Sequence, residues 1–210
     1  MSILSTLKST IANDLARSDL TNEIADAINA AITHYQSARL YFTETRTSTF
    51  STVAGQSLYT SADSADIPNM FEFDDVQING PGNQVYSLER EDATALEALI
   101  NSTAMSGDPF SWAWADRGML LYPIPIRITT IRLLGGIKKA APTDDTAGNV
   151  WMTEAFELIR AHAKLLLAVH VVDDEGLAQR MSAAAEGAKA RLERETSSKR
   201  ATGRIAATVF

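Results

Sequence analysis

The sequence predicts an α+β fold: an antiparallel helix bundle, built from an N-terminal helix pair and two long C-terminal helices, with an inserted antiparallel β lobe and an extended C-terminal tail. Three observations predict it. Apolar residues recur every three or four positions in the first 44 residues and again after residue 140, but at every second position in between. A length of 210 residues, 45% hydrophobic and 21% charged, supports one core with an inserted lobe and is unlike a disordered or fibrous chain. Periodicity is lost beyond Glu195, where Thr, Ser, Lys and Arg dominate before Ile205, Val209 and Phe210. The expected organisation is residues 1–44 for the helix pair, 45–140 for the β lobe, 141–198 for the returning helices and 199–210 for a flexible arm.

The first helix carries Leu4, Leu7, Ile11 and Leu15 on one face, and Arg17-Ser18-Asp19 breaks it. Asp19 or Thr21 can cap the second helix, where Ile24, Ile28, Ile32 and Tyr35 share a stripe that is expected to pair with the first. From Thr45 the period becomes two. Phe50 and Val53, the turn Ala54-Gly55-Gln56 and the run Leu58-Tyr59-Thr60 predict a β-hairpin. A second hairpin joins Phe71–Ile78 to Val85–Leu88 through the turn at Gly80-Pro81-Gly82-Asn83. Ala95, Leu96, Leu99 and Ile100, after an acidic start at Asp92, predict a short helix.

Trp112 and Trp114, the turn Asp116-Arg117-Gly118 and Met119–Tyr122 predict a further strand pair closed by Pro123 and Pro125. Ile126, Ile128, Ile131, Leu133 and Leu134 then predict a final, mostly buried strand. After a polar linker from Ala140 to Asn149, apolar residues lie on nearly all sides between Trp151 and Val172, which predicts one central helix. Asp173-Asp174-Glu175 separates it from a last helix whose narrow stripe is Leu177, Met181, Ala185, Ala188 and Leu192. Small residues in that stripe permit close approach of a neighbouring helix, within the same subunit or in the next one.

Composition removes several classes of function. The longest nearly apolar runs, Met119–Ile126 and Lys164–Val172, fall far short of the roughly 20 residues that cross a bilayer. No start of the secretory type is visible, so a soluble product of the cytoplasm is expected, without membrane attachment. The absence of cysteine excludes disulfides, thiolate chemistry and iron–sulfur ligation. A net charge of −7 argues against a phosphate backbone as the main partner. Lys189, Arg191, Arg194, Lys199, Arg200 and Arg204 nevertheless outnumber Glu186, Glu193 and Glu195 after residue 185, which makes the C-terminal stretch a separate electrostatic region.

Chemistry-bearing motifs are missing as well. Gly80-Pro81-Gly82 and Gly135-Gly136-Ile137-Lys138 lack the spacing of a phosphate loop and read as turns. His162 and His170, about 12 Å apart along one helix, are too far from each other to share an ion. Glu154 with Glu157, and Asp173 with Asp174, lie on single helix turns, whereas a glycosidase needs two carboxylates across a cleft. Trp112, Trp114 and Tyr122 alternate on strands, which suits a core or an interface better than a stacking platform. No serine sits in a nucleophile elbow. Neither catalysis nor a cofactor nor a metal is expected.

The order of motifs is more specific. Asp19-Leu20 with Glu23-Ile24-Ala25-Asp26-Ala27-Ile28, then Arg39-Leu40-Tyr41-Phe42-Thr43-Glu44 and Thr49-Phe50-Ser51-Thr52-Val53-Ala54-Gly55-Gln56, resemble the start of tailed-bacteriophage head-to-tail adaptor proteins. Gly107-Asp108-Pro109, Leu121-Tyr122-Pro123-Ile124-Pro125, the linker Pro142–Asp145 and Trp151 opening a long helix are similar to the later part of the same family, so that roughly residues 10–195 are covered.

The resemblance implies a structural protein of the virion neck that forms a ring, commonly of twelve copies. Such a ring docks beneath the portal of a DNA-filled head, receives the next tail component, and lets DNA pass without sequence-specific binding. Lys199, Arg200, Arg204, Ile205, Val209 and Phe210 would be the portal-binding segment. Leu177, Met181, Ala185, Ala188 and Leu192 would form the subunit interface. An acidic body suits a channel for DNA, because like charge keeps the duplex off the wall. Two alternatives are a tail-completion or stopper protein of the neck and a virion enzyme that degrades cell wall.

Overall fold

Folding divides the chain discontinuously: residues up to Phe42 together with those from Lys139 onward form a helical unit, and Thr43–Lys138 form a β unit. The computed structural model describes residues 3–80, 82, 84–102, 105–146 and 148–200.

In the helical unit, α1 (Leu4–Leu15) buries Leu4, Leu7 and Ile11 and stops where Ala16 turns left-handed. Thr21–Tyr35 forms α2, which buries Ile24, Ala27, Ile28, Ala31, Ile32 and Tyr35 in the same apolar cluster. Leu20 occupies the N-cap position and no side chain caps the helix. Asp19 instead grips Arg17 through two hydrogen bonds of 2.7 Å, and the hydrogen bond from Arg17 draws the Asp19 carboxyl down to about 2. Asp14 ties α1 to the later helices through Arg160 at 2.7 Å and Lys164 at 3.1 Å.

The single helix expected from Trp151 to Val172 is broken twice. Asn149 caps α4 (Val150–Glu154) by accepting the Trp151 N–H, Ala155 leaves helical geometry, α5 runs from Phe156 to Leu167, and Ala168–Val172 is a π-helical turn. The physical reason for the first break is Trp151, which is fully buried and points its indole N–H at the Lys139 carbonyl at 3.0 Å. At the second, three β-branched residues, Val169, Val171 and Val172, crowd a helix turn and favour a wider one. Asp173 ends it in a left-handed conformation, and the Asp174 carboxylate accepts the Leu177 N–H at the start of α6 (Glu175–Arg200). This last helix outruns the expected arm boundary. Lys199 pairs with Glu195 at 2.9 Å one turn back, and the buried Thr196 hydroxyl accepts the Tyr41 N–H at 3.0 Å.

The antiparallel helix bundle predicted from the sequence is not what forms. The architecture is α+β with six helices and substantial antiparallel sheets, and the helices do not mainly form a bundle. One of them, α3 (Ala93–Ser102), belongs to the β unit, and α4 has five residues. Of the 26 residues of α6, only Ala185, Leu192 and Thr196 are buried. A stripe one small residue wide is too narrow to wall a four-helix core. The core is therefore gathered from α1, α2, α4 and α5, and α6 contributes little beyond Leu192. The predicted tail beyond Arg200 lies outside the described residues.

In the β unit, β1 (Glu44–Ser51) and β2 (Leu58–Tyr59) do not form the predicted hairpin. β1 pairs antiparallel with β10 (Thr130–Ile137), Phe50 opposite Ile131, and β2 pairs with β8 (Gly118–Tyr122), Leu58 opposite Leu120. Gly55, at a φ of 83°, instead carries the chain from one sheet to the other, and Tyr59 donates its hydroxyl proton to the Gln56 carbonyl at 2.9 Å across that link. The first sheet runs β1-β10-β3-β4, with β3 (Met70–Asn79) and β4 (Val85–Ser87) forming the predicted second hairpin. The second runs β2-β8-β7-β5, where β7 (Ser111–Ala115) and β8 turn through left-handed Asp116 and Arg117, and β5 (Glu89–Arg90) lies parallel to β7. A short parallel pair joins β6 (Ser106–Gly107) to β9 (Ile124–Pro125). Phe50, Tyr59, Val76, Ile78, Trp112, Leu121, Ile131 and Leu133 form the core of this unit.

At Gly135, on a register shift between β10 and β3, φ is 151° and an added Cβ would stand 2.1 Å from the Glu72 carbonyl oxygen. Gly135→Ala is expected to destabilise the protein by about 2–4 kcal/mol through backbone clash and strain. Trp151→Ala, which removes the largest fully buried side chain, should cost about 3–5 kcal/mol. Urea denaturation followed by circular dichroism measures both, and an unchanged midpoint in either variant would contradict the packing described.

Candidate functional site

Two apolar surfaces stand out because, among the described residues, nothing in their own unit covers them. In the helical unit, a trough of 410 Å³ lies between α2 and the end of α5. Ala27 and Ala30 from α2 face Leu166, Leu167 and Val171, and Glu23 and Asp26 stand on the rim. The π turn supplies His170 and Val171 to the lining of the trough, and Val169 and Val171 in that turn are 50% and 41% exposed, whereas Leu167 and Ala168 before them are buried. Exposed apolar ground of this kind commonly marks a contact surface.

The second surface is on the β unit. Ile126 and Ile128, predicted to lie in a buried strand, are 59% and 78% exposed, because β10 begins only at Thr130. The segment between β9 and β10 is held by the Thr52 side chain together with backbone bonds from the Thr52 N–H to the Thr129 carbonyl and from the Gly55 N–H to the Pro125 carbonyl, both 2.8 Å. Thr52, fully buried, donates its hydroxyl proton to the Arg127 carbonyl at 2.8 Å and accepts the Thr129 N–H at 2.7 Å. Arg127 in turn grips Asp108 through two hydrogen bonds of 2.9 and 2.6 Å. Met105 and Phe110, also exposed, join the same end of the unit: Met105 accepts the Ile124 N–H at 2.9 Å and Phe110 donates its N–H to the Tyr122 carbonyl at 3.0 Å.

Within the α6 stripe, Ala185 and Leu192 are buried inside the chain, while Leu177, Met181 and Ala188 are half-buried, Ala188 against the helical core. Lys199 and Arg200 sit on the last turn of α6, Lys199 with its ammonium 3.3 Å from the centre of the Tyr41 ring. Arg204, Ile205, Val209 and Phe210 lie outside the described residues.

Residues that could have done chemistry have structural partners. Trp112 is buried and meets Phe73 with ring centres 4.8 Å apart and planes tilted by 53°, and Phe73 also meets the half-buried Trp114 at 5.3 Å. Glu154 accepts the Tyr41 hydroxyl proton, and burial together with that bond pushes the phenol well above its ordinary value. Glu157 pairs with Arg160 at 3.3 Å. Among the described residues no cluster of three or more metal-ligating side chains occurs. His170 lines the trough. His162 instead stacks on His34 with ring centres 4.7 Å apart, and the Tyr35 hydroxyl lies 2.9 Å from its Nδ1. The sequence holds a signal for the trough in the β-branched run at the end of α5, and one for the β-unit tip in the prolines at 123 and 125 on either side of Ile124.

A family model described as SU10 adaptor protein matches residues 2–208. No curated protein matches the chain.

Burial, and then the charge of His34, lower the affinity of His162 for a proton, while Glu186 on α6 opposes them weakly. The folded state therefore holds His162 neutral at pH values where the unfolded chain, titrating near its reference of about 6.5, takes up a proton. Stability should fall as pH drops from 7.5 through that value. Melting curves between pH 7.5 and 5.5 are expected to show the loss, and His162→Gln should flatten it; an equal slope in the variant would remove His162 as the cause.

Proposed function

The chain belongs to the SU10 adaptor protein family, a family of phage adaptors, and we propose that it acts as a structural head-to-tail adaptor of a tailed bacteriophage. In this reading copies of the chain form a ring, of twelve subunits by the family resemblance, under the portal. The ring links the DNA-filled head to the next tail component and leaves a passage for the genome. The observation that carries the reading is the match of one adaptor family along nearly the whole chain, both units included. Physical support comes from the surface: the polar and aromatic groups that could have made a reaction centre are engaged in packing, while the trough and the Ile126–Ile128 tip leave apolar area to contact.

A ring needs a heterologous interface, with different surfaces of each subunit meeting. The half-buried Leu177, Met181 and Ala188 of α6 are one surface offered to it. Contact with the portal falls to the C-terminal segment, Lys199 and Arg200 on the last turn of α6 and Arg204, Ile205, Val209 and Phe210 beyond it. Lys199 is also occupied within the chain, by Glu195 and the Tyr41 ring, so the residues after Arg200 are the ones to test.

Removing residues 201–210 leaves α6 whole and should give a folded chain that no longer attaches to purified portal rings, by sedimentation and by electron microscopy of the mixture. The intact chain should appear as a ring on the portal axis. Attachment of the shortened chain at unchanged affinity would reject the segment's role, and an intact chain that never joins a portal would reject the adaptor reading.

A further inference from the structure

The two uncovered surfaces match in chemistry. At the tip Ile126 and Ile128 flank Arg127, on a segment that the buried Thr52 holds at the Arg127 carbonyl and the Thr129 N–H. A contact made by such a preorganised segment loses little conformational entropy on binding. The trough is concave, with Ala27 and Leu167 buried in its floor and the carboxylates of Glu23 and Asp26 on its rim. Asp108 takes two of the five N–H donors of Arg127, and the side chain remains partly exposed. The tip thus presents two isoleucines beside a guanidinium that is paired with Asp108 and keeps three N–H donors, and the trough presents apolar ground edged by two carboxylates that can accept them.

From this complementarity we propose that a second copy of the chain is the occupant: the Ile126-Arg127-Ile128 tip of one subunit seats in the trough between α2 and the π turn of the next. The isoleucines cover Ala27, Leu166 and Val171, and the guanidinium, still held by Asp108, turns its remaining donors to Glu23 and Asp26. Each subunit carries one tip and one trough, so the contact is heterologous and adds copies head to tail, closing where the rotation per subunit divides a full turn. The inference rests on the ring reading and deepens it by naming the surfaces that meet. The π turn has a part in this contact, since it supplies His170 and Val171 to the trough.

The absence of native cysteine permits a direct test. An Ile128→Cys chain mixed with an Ala30→Cys chain, at matched concentration under mild oxidation, should form the mixed disulfide dimer severalfold faster than either homodimer. The mixed dimer should also outpace the pairing of Ile128→Cys with an exposed control, Ser197→Cys. Glu23→Lys with Asp26→Lys in the Ala30→Cys chain should abolish the advantage, with circular dichroism confirming the fold. A mixed dimer no faster than the homodimers or the control overturns the contact, and so does indifference to the charge reversal. Light scattering on the parent chain, with and without portal, separates the two failures: rings that form without the 30–128 link reject this contact and leave the ring reading standing, whereas no assembly under any condition rejects both.

Discussion

The helical unit depends on how Trp151 receives the chain at both places where it crosses between units. Its ring meets Phe42 edge-on at 5.2 Å where the chain departs, and its indole N–H binds the Lys139 carbonyl at 3.0 Å where the chain returns. Gln36 reaches the same carbonyl at 3.3 Å. The β unit closes the excursion on its own side: the Ile137 N–H meets the Thr43 carbonyl at 2.8 Å, and Glu44 lies opposite Gly136 in the ladder. A 96-residue segment, 43–138, can therefore fold on its own sheets while both ends are pinned. Fixing both ends also reduces the loop-closure entropy that the returning helices would otherwise have to overcome.

Within that frame the molecule separates apolar surface that builds the subunit from apolar surface left over. Leu7, Ile28, Ile159 and Trp151 are sealed in one core, and Tyr59, Ile78, Leu121 and Leu133 in another. Val169, Val171, Ile126 and Ile128 are as apolar as any of these and stay in solvent. Their exposure has local causes, a π turn in one case and a threonine-held link between strands in the other. Both devices fix the backbone without burying the side chains. In the reading proposed for this chain, such prepared surface would be the useful product, since contacts held in place in advance lose less entropy on assembly.

The elements legible in the sequence are those whose partners are close along the chain. The stripes of α1 and α2, the β3–β4 hairpin, the short helix after Asp92 and the left-handed turn at Asp116 and Arg117 all arise from contacts a few residues away. What was misread depends on distant residues. Phe50 and Tyr59 look like the two arms of a hairpin because both carry period-two patterning, yet their strands find β10 and β8, each about sixty residues or more further on. Ile126 and Ile128 continue the alternation of β10 and are still outside it, since the ladder starts at Thr130 and Thr52, the residue after β1, binds the Arg127 and Thr129 carbonyls before it. The candidate surfaces were hidden for the same reason. A hydrophobic residue on a periodic pattern looks the same whether its partner lies in the same chain or has yet to arrive.

The sequence by itself determined the α+β class, an alternation of period that marks where helices give way to strands, the lack of a nucleotide loop or thiol chemistry, and the resemblance to phage adaptors. Those are properties of composition and local spacing. Tertiary structure alone decided that the helices do not close into a bundle, that α5 ends in a π turn over an open trough, and that two isoleucines face solvent. The physical reason is that burial is shared: a stripe as narrow as that of α6 is filled or left bare by the competition among all the elements for the same core, and no short window of sequence records that outcome.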